Sequence, residues 1–321
     1  MENYESYIVF GPVPSRRLGK SLGVNNIPPK ICTYSCVYCQ VGKTLKMEVG
    51  RSSFYDTREV VEAVEETVKK FQQKNETIDY ISFVPDGEPT LDLELGDKIR
   101  QLKHLGIRIA VITNASLIWQ SEVQENLKEA DWVSLKIDAL TPAIWRKIDR
   151  PHRTLKLNEI LDGIKFFSKE FQGSLNTETM LVRDINDHEE EIHKIAKFIK
   201  ELNVHRCYIS IPTRPPTVKY IQPPLPEKVT MSYQIFQEYD LPAECLLGFS
   251  AESFGSTGDA ERDLLSITAV HPMREAEIIS FLKKAGKDWA IMKRLLKENK
   301  MLLTCHNNEK FYMRNFSKIK D

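Results

Sequence analysis

A chain of 321 residues that is 41% hydrophobic and 28% charged is long enough to bury one large core and a second, small one. Lys+Arg and Asp+Glu both total 45, so the whole chain sets up no field favouring nucleic acid or an anionic membrane surface. No apolar run approaches the roughly 18 residues that span a bilayer, and the N-terminus MENYESYIVF has acids but no basic flank for a secretory signal. A cytoplasmic protein is expected, where thiols stay reduced and clustered cysteines point to metal or catalysis.

From Leu22 to about Ile211, short apolar runs alternate with amphipathic helices. LGVNNI (22–27) reads as the first strand. A helix over Thr57–Gln73 places Val60, Val61, Val64, Val68 and Phe71 on one face. IDYISFV (78–84) is the second strand, followed by a helix near Leu93–Leu105. Arg108–Thr113 is the third strand and Trp132–Ile137 the fourth. Between them, Ser121 can cap a helix running through Lys128. A helix over Asn158–Phe171 leads to a fifth strand near Leu175–Val182. Asp187 and Glu190 have capping-box spacing ahead of Ile192, Ile195, Ala196 and Ile199. Arg206–Ile211 is the sixth strand. Six strand–helix units in series imply a parallel sheet with right-handed crossovers. The expected fold is α/β, a partial (β/α)6 TIM-like barrel, with a doubly wound open sheet as the alternative. In both, function gathers on the loops after strand C-termini.

Beyond Ile211 the texture changes. PTRPPTVKYIQPPLPEK is too proline-rich for sheet or helix. A helix over Glu227–Tyr239 and a Gly/Ser stretch, GFSAESFGSTGD, follow. Arg274–Ala285 and Asp288–Glu298 read as helices, and MLLTCHNNEKFYMRNF as a hairpin around Asn307–Asn308. This gives a barrel with N-terminal extension over 1–240, a linker over 241–265 and a small α+β, winged-helix-like domain over 266–321. The tail is basic, with 11 Lys/Arg against 5 Asp/Glu from Ala276 to Asp321.

ICTYSCVYCQVGKT places Cys32, Cys36 and Cys39 within eight residues. Zinc normally closes with four Cys/His ligands, so a zinc site needs a fourth from elsewhere in the fold. An iron–sulfur cube also needs four, and three thiolates leave one iron open. Cys207, Cys245 and Cys305 lack mutual ligand spacing and read as small buried hydrophobes.

The cysteine spacing, with the aromatic Tyr38 before the last thiol, resembles the CX3CXφC motif of the radical S-adenosylmethionine (SAM) superfamily. That resemblance implies a [4Fe–4S] cluster held by Cys32, Cys36 and Cys39, with SAM chelating the fourth iron. It further implies a 5′-deoxyadenosyl radical that abstracts hydrogen from a substrate, and an electron donor of flavodoxin or ferredoxin type. VPDGEPTL (84–91) resembles the family's Gly-Gly-Glu-Pro segment, which holds the SAM ammonium. Gly87 and Glu88 carry over, while Asp86 replaces the first glycine. Asn114 and Ser116 in ITNASL are placed for ribose or the methionyl end, with a turn Asn as the alternative. Ser134, Lys136 and Asp138 alternate along VSLKIDA and so share one face, read as lining the barrel. Glu178 and Asn186 are further candidates for SAM contact.

The whole set, over about Phe10–Pro216, resembles a group related to the tRNA wyosine synthases, without their cysteine-rich N-terminal segment. The substrate is therefore open: tRNA, a peptide or protein, or a small metabolite. A winged-helix regulator sensing SAM or redox state is the non-enzymatic alternative. Paired Arg16 and Arg17, with Arg214 after the sixth strand, suit an anionic substrate. WRKIDRPHRT (145–154) reads as a charged connector. The tail would grip tRNA or a protein partner; no membrane role is expected.

Overall fold

The computed structural model describes residues 8–246, 254, 256–270, 272–306 and 309–315. Its main unit runs β1 (Val9–Ser15), β2 (Gly19–Val24), β3 (Ile31–Cys32), β4 (Lys46–Met47), α1 (Thr57–Gln73), β5 (Tyr80–Phe83), α2 (Leu95–Leu102), β6 (Arg108–Thr113), α3 (Ser121–Lys128), β7 (Trp132–Lys136), α4 (Pro142–Ile148), α5 (Leu157–Glu170), β8 (Ser174–Met180), α6 (Glu189–Lys200), β9 (Arg206–Ser210), α7 (Pro226–Glu238) and β10 (Ala243–Leu246). Eight strands form one curled sheet in the order β1-β2-β5-β6-β7-β8-β9-β10, a partial barrel. All neighbours are parallel except β1 and β2, which form an antiparallel hairpin.

Strand alternation sorts the side chains onto two faces. Ile81, Phe83, Ile109, Val111, Val133, Leu135, Leu175 and Ile209 face the helices and join the main core with Val60, Val64 and Phe71 of α1. Tyr80, Ala110, Trp132 and Tyr208 form a separate cluster on the concave face, closed by Leu18 of the hairpin turn and Leu246 of β10. Lys136 and Glu178 are register partners on that concave face, one layer above Ser134 and Asn176.

The structure departs from the sequence reading at several places. The segment before the expected first strand is itself a strand, and its Gly11 takes φ +94° at the bulge between Phe10 and Val13. The 241–265 stretch expected as a linker contains β10, which pairs with β9, and part of a further helix. Asp187 does not cap α6: His188 is the N-cap, and Asp187 accepts the Asp184 N–H at 2.8 Å. Ser121 is the first residue of α3, preceded by Gln120 as N-cap.

A second unit comprises α8 (Ala260–Val270), β11 (Met273–Arg274), α9 (Glu275–Lys284), α10 (Ala290–Lys297), β12 (Met301–His306) and β13 (Glu309–Arg314), with sheet order β11-β13-β12. The expected hairpin tip, Asn307–Asn308, lies outside the described residues, as does much of the Gly/Ser stretch. Leu264, Ile267, Ile278, Phe281, Met292 and Leu295 make this unit's own core, against which Val13 of β1 packs. Lys74 at the end of α1 donates to the Ser256 carbonyl at 2.8 Å, and Lys284 pairs with Glu76 at 3.4 Å. Cys207 is buried, but Cys305 is exposed on outer strand β12, against the expectation that all three stray thiols are buried.

Among the described residues, Lys98 and Asp92 form a wholly buried charged pair. Lys98 Nζ sits 2.8 Å from Asp92 Oδ2, which also accepts from Asn26 Nδ2 at 3.0 Å. Lys98→Met leaves Asp92 without its cation, so urea unfolding should show a loss of about 3–5 kcal/mol. The double variant Lys98→Met/Asp92→Leu should recover much of it. A single-variant loss under about 1 kcal/mol counts against a desolvated pair.

Candidate active site

The cysteine loop leaves the end of β3 and is held on three sides by backbone hydrogen bonds. On the first side, the Glu88 N–H donates to the Ile31 carbonyl at 3.2 Å and the Lys30 N–H to the Asp86 carbonyl at 2.7 Å. Gly87 is required there, since a Cβ would lie 2.0 Å from the Ile31 oxygen. On the second side, Ser35 and Val37 N–H groups donate to the Asp149 and Ile148 carbonyls at 3.1 and 2.9 Å. On the third side, Thr217 donates to the Cys39 carbonyl through its N–H at 2.9 Å and its hydroxyl at 2.8 Å. WRKIDRPHRT is thus more than a connector: its backbone docks on the loop, with Arg146, Arg150 and Arg153 on the surface.

Asp86 explains the departure from a double glycine. It has no positive φ; that conformation falls on Lys30, at +66°. Its carboxylate pairs with Lys30 Nζ at 2.5 Å, and Lys30 also donates to the Val41 carbonyl. Burial raises the Asp86 carboxyl to about 6 although Lys30 pulls it down.

Glu88 is 1% exposed and saturated. Its carboxylate accepts from Thr90 N–H (3.0 Å) and Oγ1 (2.6 Å), Thr113 Oγ1 (2.6 Å) and Asn114 N–H (2.8 Å). It thereby ties the end of β6 to the turn after β5. Asn114 Nδ2 donates to Thr33 Oγ1 at 2.8 Å and lies 3.6 Å from Cys32 Sγ. The Ser116 hydroxyl is 2.7 Å from the same Thr33 oxygen.

On the other side, Tyr38 donates its hydroxyl to Asp138, which also accepts the Met180 N–H at 2.7 Å. Asp149, missed by the sequence reading, accepts from the Cys36 thiol at 3.4 Å and lies 3.3 Å from the Tyr38 oxygen. Burial drives Asp149 well above the usual carboxylate range, and nearby Asp138 adds to it. Burial, reinforced by Glu88 at Cys32, by Asp149 at Cys36 and by Asp86 at Cys39, likewise raises all three thiols.

Lys136 reaches into the centre. Its Nζ is 3.1 Å from Glu178 Oε1, 4.0 Å from Asp138 Oδ1 and 5.0 Å from the Tyr38 ring centroid. Glu178 also pairs with Arg17 and accepts the Ser210 hydroxyl at 2.9 Å. Burial alone would raise the Glu178 carboxyl, yet Arg17, Lys136 and Ser210 outweigh it and hold it down to about 2.

A narrow cleft over α5 is lined by Tyr34, Asn114, Lys136, Asp138 and Asp149, with Ile137, Ile160 and Ile164 as its apolar wall. Arg16, Arg17 and Arg214 line a second, larger cavity. Of the other candidates, the Ser134 hydroxyl is buried without a hydrogen-bond partner. Asn186 is spoken for: it donates to the Asp138 and Met180 carbonyls, both at 2.8 Å, and accepts the Val182 N–H at 2.8 Å. Closing the turn after β8 uses its whole amide, so it offers nothing to a ligand.

Among the described residues, no three Cys, His, Asp or Glu side chains gather around a point where one metal ion can sit. A structural zinc site normally closes with four Cys or His ligands, and the cysteine loop supplies three thiols. A cube of four irons takes one thiolate per iron, so three thiols leave the last iron without a protein ligand. The donor set fits that cluster.

Fold and site together define an iron–sulfur enzyme on a partial barrel. The Radical SAM superfamily model matches residues 26–199. The UPF0026 protein MJ1312 of Methanocaldococcus jannaschii is 45% identical over 310 residues, 96% of each chain. The probable dual-specificity RNA methyltransferase RlmN of Thermotoga petrophila is 23% identical over 221 residues, 65% of this chain and 63% of that protein. A radical SAM methyltransferase from Sphaerobacter thermophilus shares the fold, with a TM-score of 0.52 at 15% identity over 72% of this chain and 67% of the other. The chain belongs to the radical SAM superfamily, whose members are enzymes that bind a [4Fe–4S] cluster and SAM. Among the described residues, no helix is long and apolar enough to cross a membrane.

Glu178 makes a test of the central charge cluster. Its folded value lies below the ordinary 4.5, so between the two the folded chain binds fewer protons than the unfolded one. The carboxylate therefore adds stability above about pH 4.5 that disappears as the pH falls to about 2. Glu178→Gln should be less stable than wild type at pH 7, with the gap closing on acidification. A gap that is constant with pH removes the charge from the explanation.

Proposed function

We propose that this enzyme cleaves SAM reductively and uses the resulting radical to abstract hydrogen from an RNA nucleotide. When bound, the cluster supplies one electron that splits SAM into methionine and a 5′-deoxyadenosyl radical, which becomes 5′-deoxyadenosine on taking a hydrogen atom. The observation that carries this reading is the cysteine loop, clamped on three sides by the loops that carry Gly87, Asp149 and Thr217. Lys136, beside the cleft, is the cation for the SAM carboxylate. Asp138 and Asp149 favour a cationic occupant such as its sulfonium and ammonium. Asn114, its amide bonded to Thr33 and to the Ser116 N–H, helps to order the cysteine loop. Ser134 holds a buried hydroxyl in reserve on the same strand. Tyr38, Gly87, Glu88 and Ser116 act by fixing the loop. An electron donor of flavodoxin or ferredoxin type, in the cytoplasm, completes the reaction.

Two observations support RNA. One relative is named an RNA methyltransferase. The second unit, read as winged-helix-like, exposes Lys283, Lys284, Lys287, Lys293, Arg294 and Lys297 on or near α9 and α10.

Anaerobically reconstituted protein with dithionite and SAM should form 5′-deoxyadenosine, and Cys36→Ala should form none. Equal yields from the two proteins would falsify the catalytic reading. Transfer RNA affinity should fall steeply with salt, and Lys287→Gln/Lys293→Gln/Lys297→Gln should reduce the log–log slope by about 2 to 3. A salt-independent affinity, or a slope unchanged in the triple variant, removes RNA as the substrate and leaves SAM cleavage standing.

A further inference from the structure

The backbone bonds that clamp the cysteine loop also gather a particular set of exposed side chains around it. Thr44 donates its hydroxyl to the Tyr34 carbonyl at 2.7 Å, and the Leu45 N–H donates to the Lys30 carbonyl at 3.0 Å. The Ser35 N–H reaches the Asp149 and Arg150 carbonyls, and the His152 N–H the Thr33 carbonyl at 2.9 Å. The Val218 N–H donates to the Val37 carbonyl at 3.2 Å. Three stretches, 40–47, 150–156 and 215–222, therefore meet at the thiol-bearing segment. They carry Lys43, Lys46, Arg150, Arg153, Lys156 and Lys219 and no Asp or Glu, in a chain whose charges cancel overall.

Charge and apolar surface coincide there. Leu45 is 73% exposed and Tyr220 72%, more than any other large hydrophobic side chain among the described residues. Both belong to these stretches. Lys43, Arg150, Arg153 and Lys219 are exposed as well, and among the described residues none of the four is paired with an acid. Lys46 and Lys156 are held by Glu48 and Glu159, each at 2.7 Å. The three thiols beneath are half-buried rather than sealed. Two large apolar side chains standing in water among unpaired cations mark a surface that gains by being covered.

We infer that this surface docks an acidic one-electron carrier protein, with Leu45 and Tyr220 as its apolar contacts and Lys43, Arg150, Arg153 and Lys219 as its charged rim. The inference rests on the proposed reaction, in which the cluster takes its electron from outside. One electron leaves the carrier's reduced cofactor, which is oxidised by one, and enters the cluster, which is reduced by one. No bond forms or breaks. A carrier delivers that electron only by settling beside the segment that holds Cys32, Cys36 and Cys39. A small interface with a charged rim suits a partner that must leave after each transfer, since rim charges speed encounter more than they tighten binding. RNA is the competing anion. Its phosphates answer the cations, but they offer nothing to an aliphatic side chain such as Leu45.

The test is binding of oxidised flavodoxin, an acidic flavoprotein, to the anaerobically reconstituted full chain, followed by flavin fluorescence at several salt concentrations. Saturable binding that weakens with salt is expected. Lys43→Gln/Arg153→Gln/Lys219→Gln should weaken it at least about tenfold at low salt and flatten the salt dependence. Leu45→Ser should weaken it about threefold at every salt concentration, since apolar burial is not screened. Lys165→Gln, which removes a surface cation paired with Glu201, should leave it unchanged, and cytochrome c, a basic redox protein, should not bind. The triple variant and Leu45→Ser should also slow 5′-deoxyadenosine formation driven by reduced flavodoxin, yet match wild type with dithionite, which is small enough to need no docking. Wild-type protein that ignores flavodoxin or binds cytochrome c equally well overturns the inference, as does flavodoxin binding that either variant leaves intact. A triple variant that loses transfer RNA while keeping flavodoxin also overturns it and assigns the surface to RNA. Protein that binds flavodoxin through these residues and forms no 5′-deoxyadenosine with dithionite loses the SAM reading alone. Protein that forms it with dithionite and shows no such docking loses this inference alone.

Discussion

A carboxylate in the middle of a concave, largely covered sheet face has to be neutralised or protonated, and Glu178 is neutralised. Removing such a group from water is costly, and only partners in good geometry offset the cost. The partners come from three separate places: Lys136 on β7, Ser210 on β9 and Arg17 in the β1–β2 turn. Each constrains the element that carries it. Lys136 must point inward, so β7 must present its even-numbered residues to the concave face. Arg17 must reach the sheet's centre, so the hairpin must fold over the mouth rather than stand away from it. One ion triad thereby fixes the relation of the N-terminal hairpin to strands far from it in the sheet order.

The cysteine loop is organised on the same logic at longer range. Local bonds shape it, such as the Cys39 N–H to the Cys36 carbonyl at 3.2 Å, the Glu48 N–H to the Cys32 carbonyl at 3.1 Å and the Thr44 hydroxyl to the Tyr34 carbonyl at 2.7 Å. Its long-range anchors come from other loops: Asp86–Glu88 after β5, Ile148–Pro151 after α4, Thr217–Val218 after β9. These loops follow three different elements, β5, α4 and β9, and together they fix the backbone of the thiol-bearing segment. Burial, with an acid beside each, raises all three thiols. A site built this way prefers a positively charged occupant, since such an occupant both deprotonates the sulfurs and relieves the acids.

Much of this was legible in the sequence where the physics is local. The spacing of Cys32, Cys36 and Cys39 marked the loop that the neighbouring segments clamp. The alternation of Ser134, Lys136 and Asp138 put Lys136 on the same side as Glu178 once the sheet was taken as parallel. Positions near a turn were harder. β1 carries Pro12 and Pro14, which signal a break, yet an edge strand tolerates proline because one side of it has no ladder to complete. β10 is a four-residue edge strand with a mixed pattern, AECL, too short for periodicity to show. Asp149 was hidden in a run of surface charges, and its partner, Cys36, lies 113 residues away. Asn186 failed in the opposite direction, since a polar residue near a strand end serves a ligand and a turn equally well by type. Only its three backbone partners decide for the turn.

The placement of charge also bears on how a radical would be confined. Lys136 borders the cleft over α5 and Arg17 borders the arginine cavity, so Glu178 sits between the two spaces and touches a cation from each. An anion entering the arginine cavity competes with Glu178 for Arg17, and a carboxylate entering the cleft competes with it for Lys136. Both demands fall on one buried group that Ser210 and the sheet hold in place. If either cation were withdrawn, Glu178 would be left buried and under-compensated. The low-energy arrangement is therefore the one in which a ligand anion adds to the triad without breaking it.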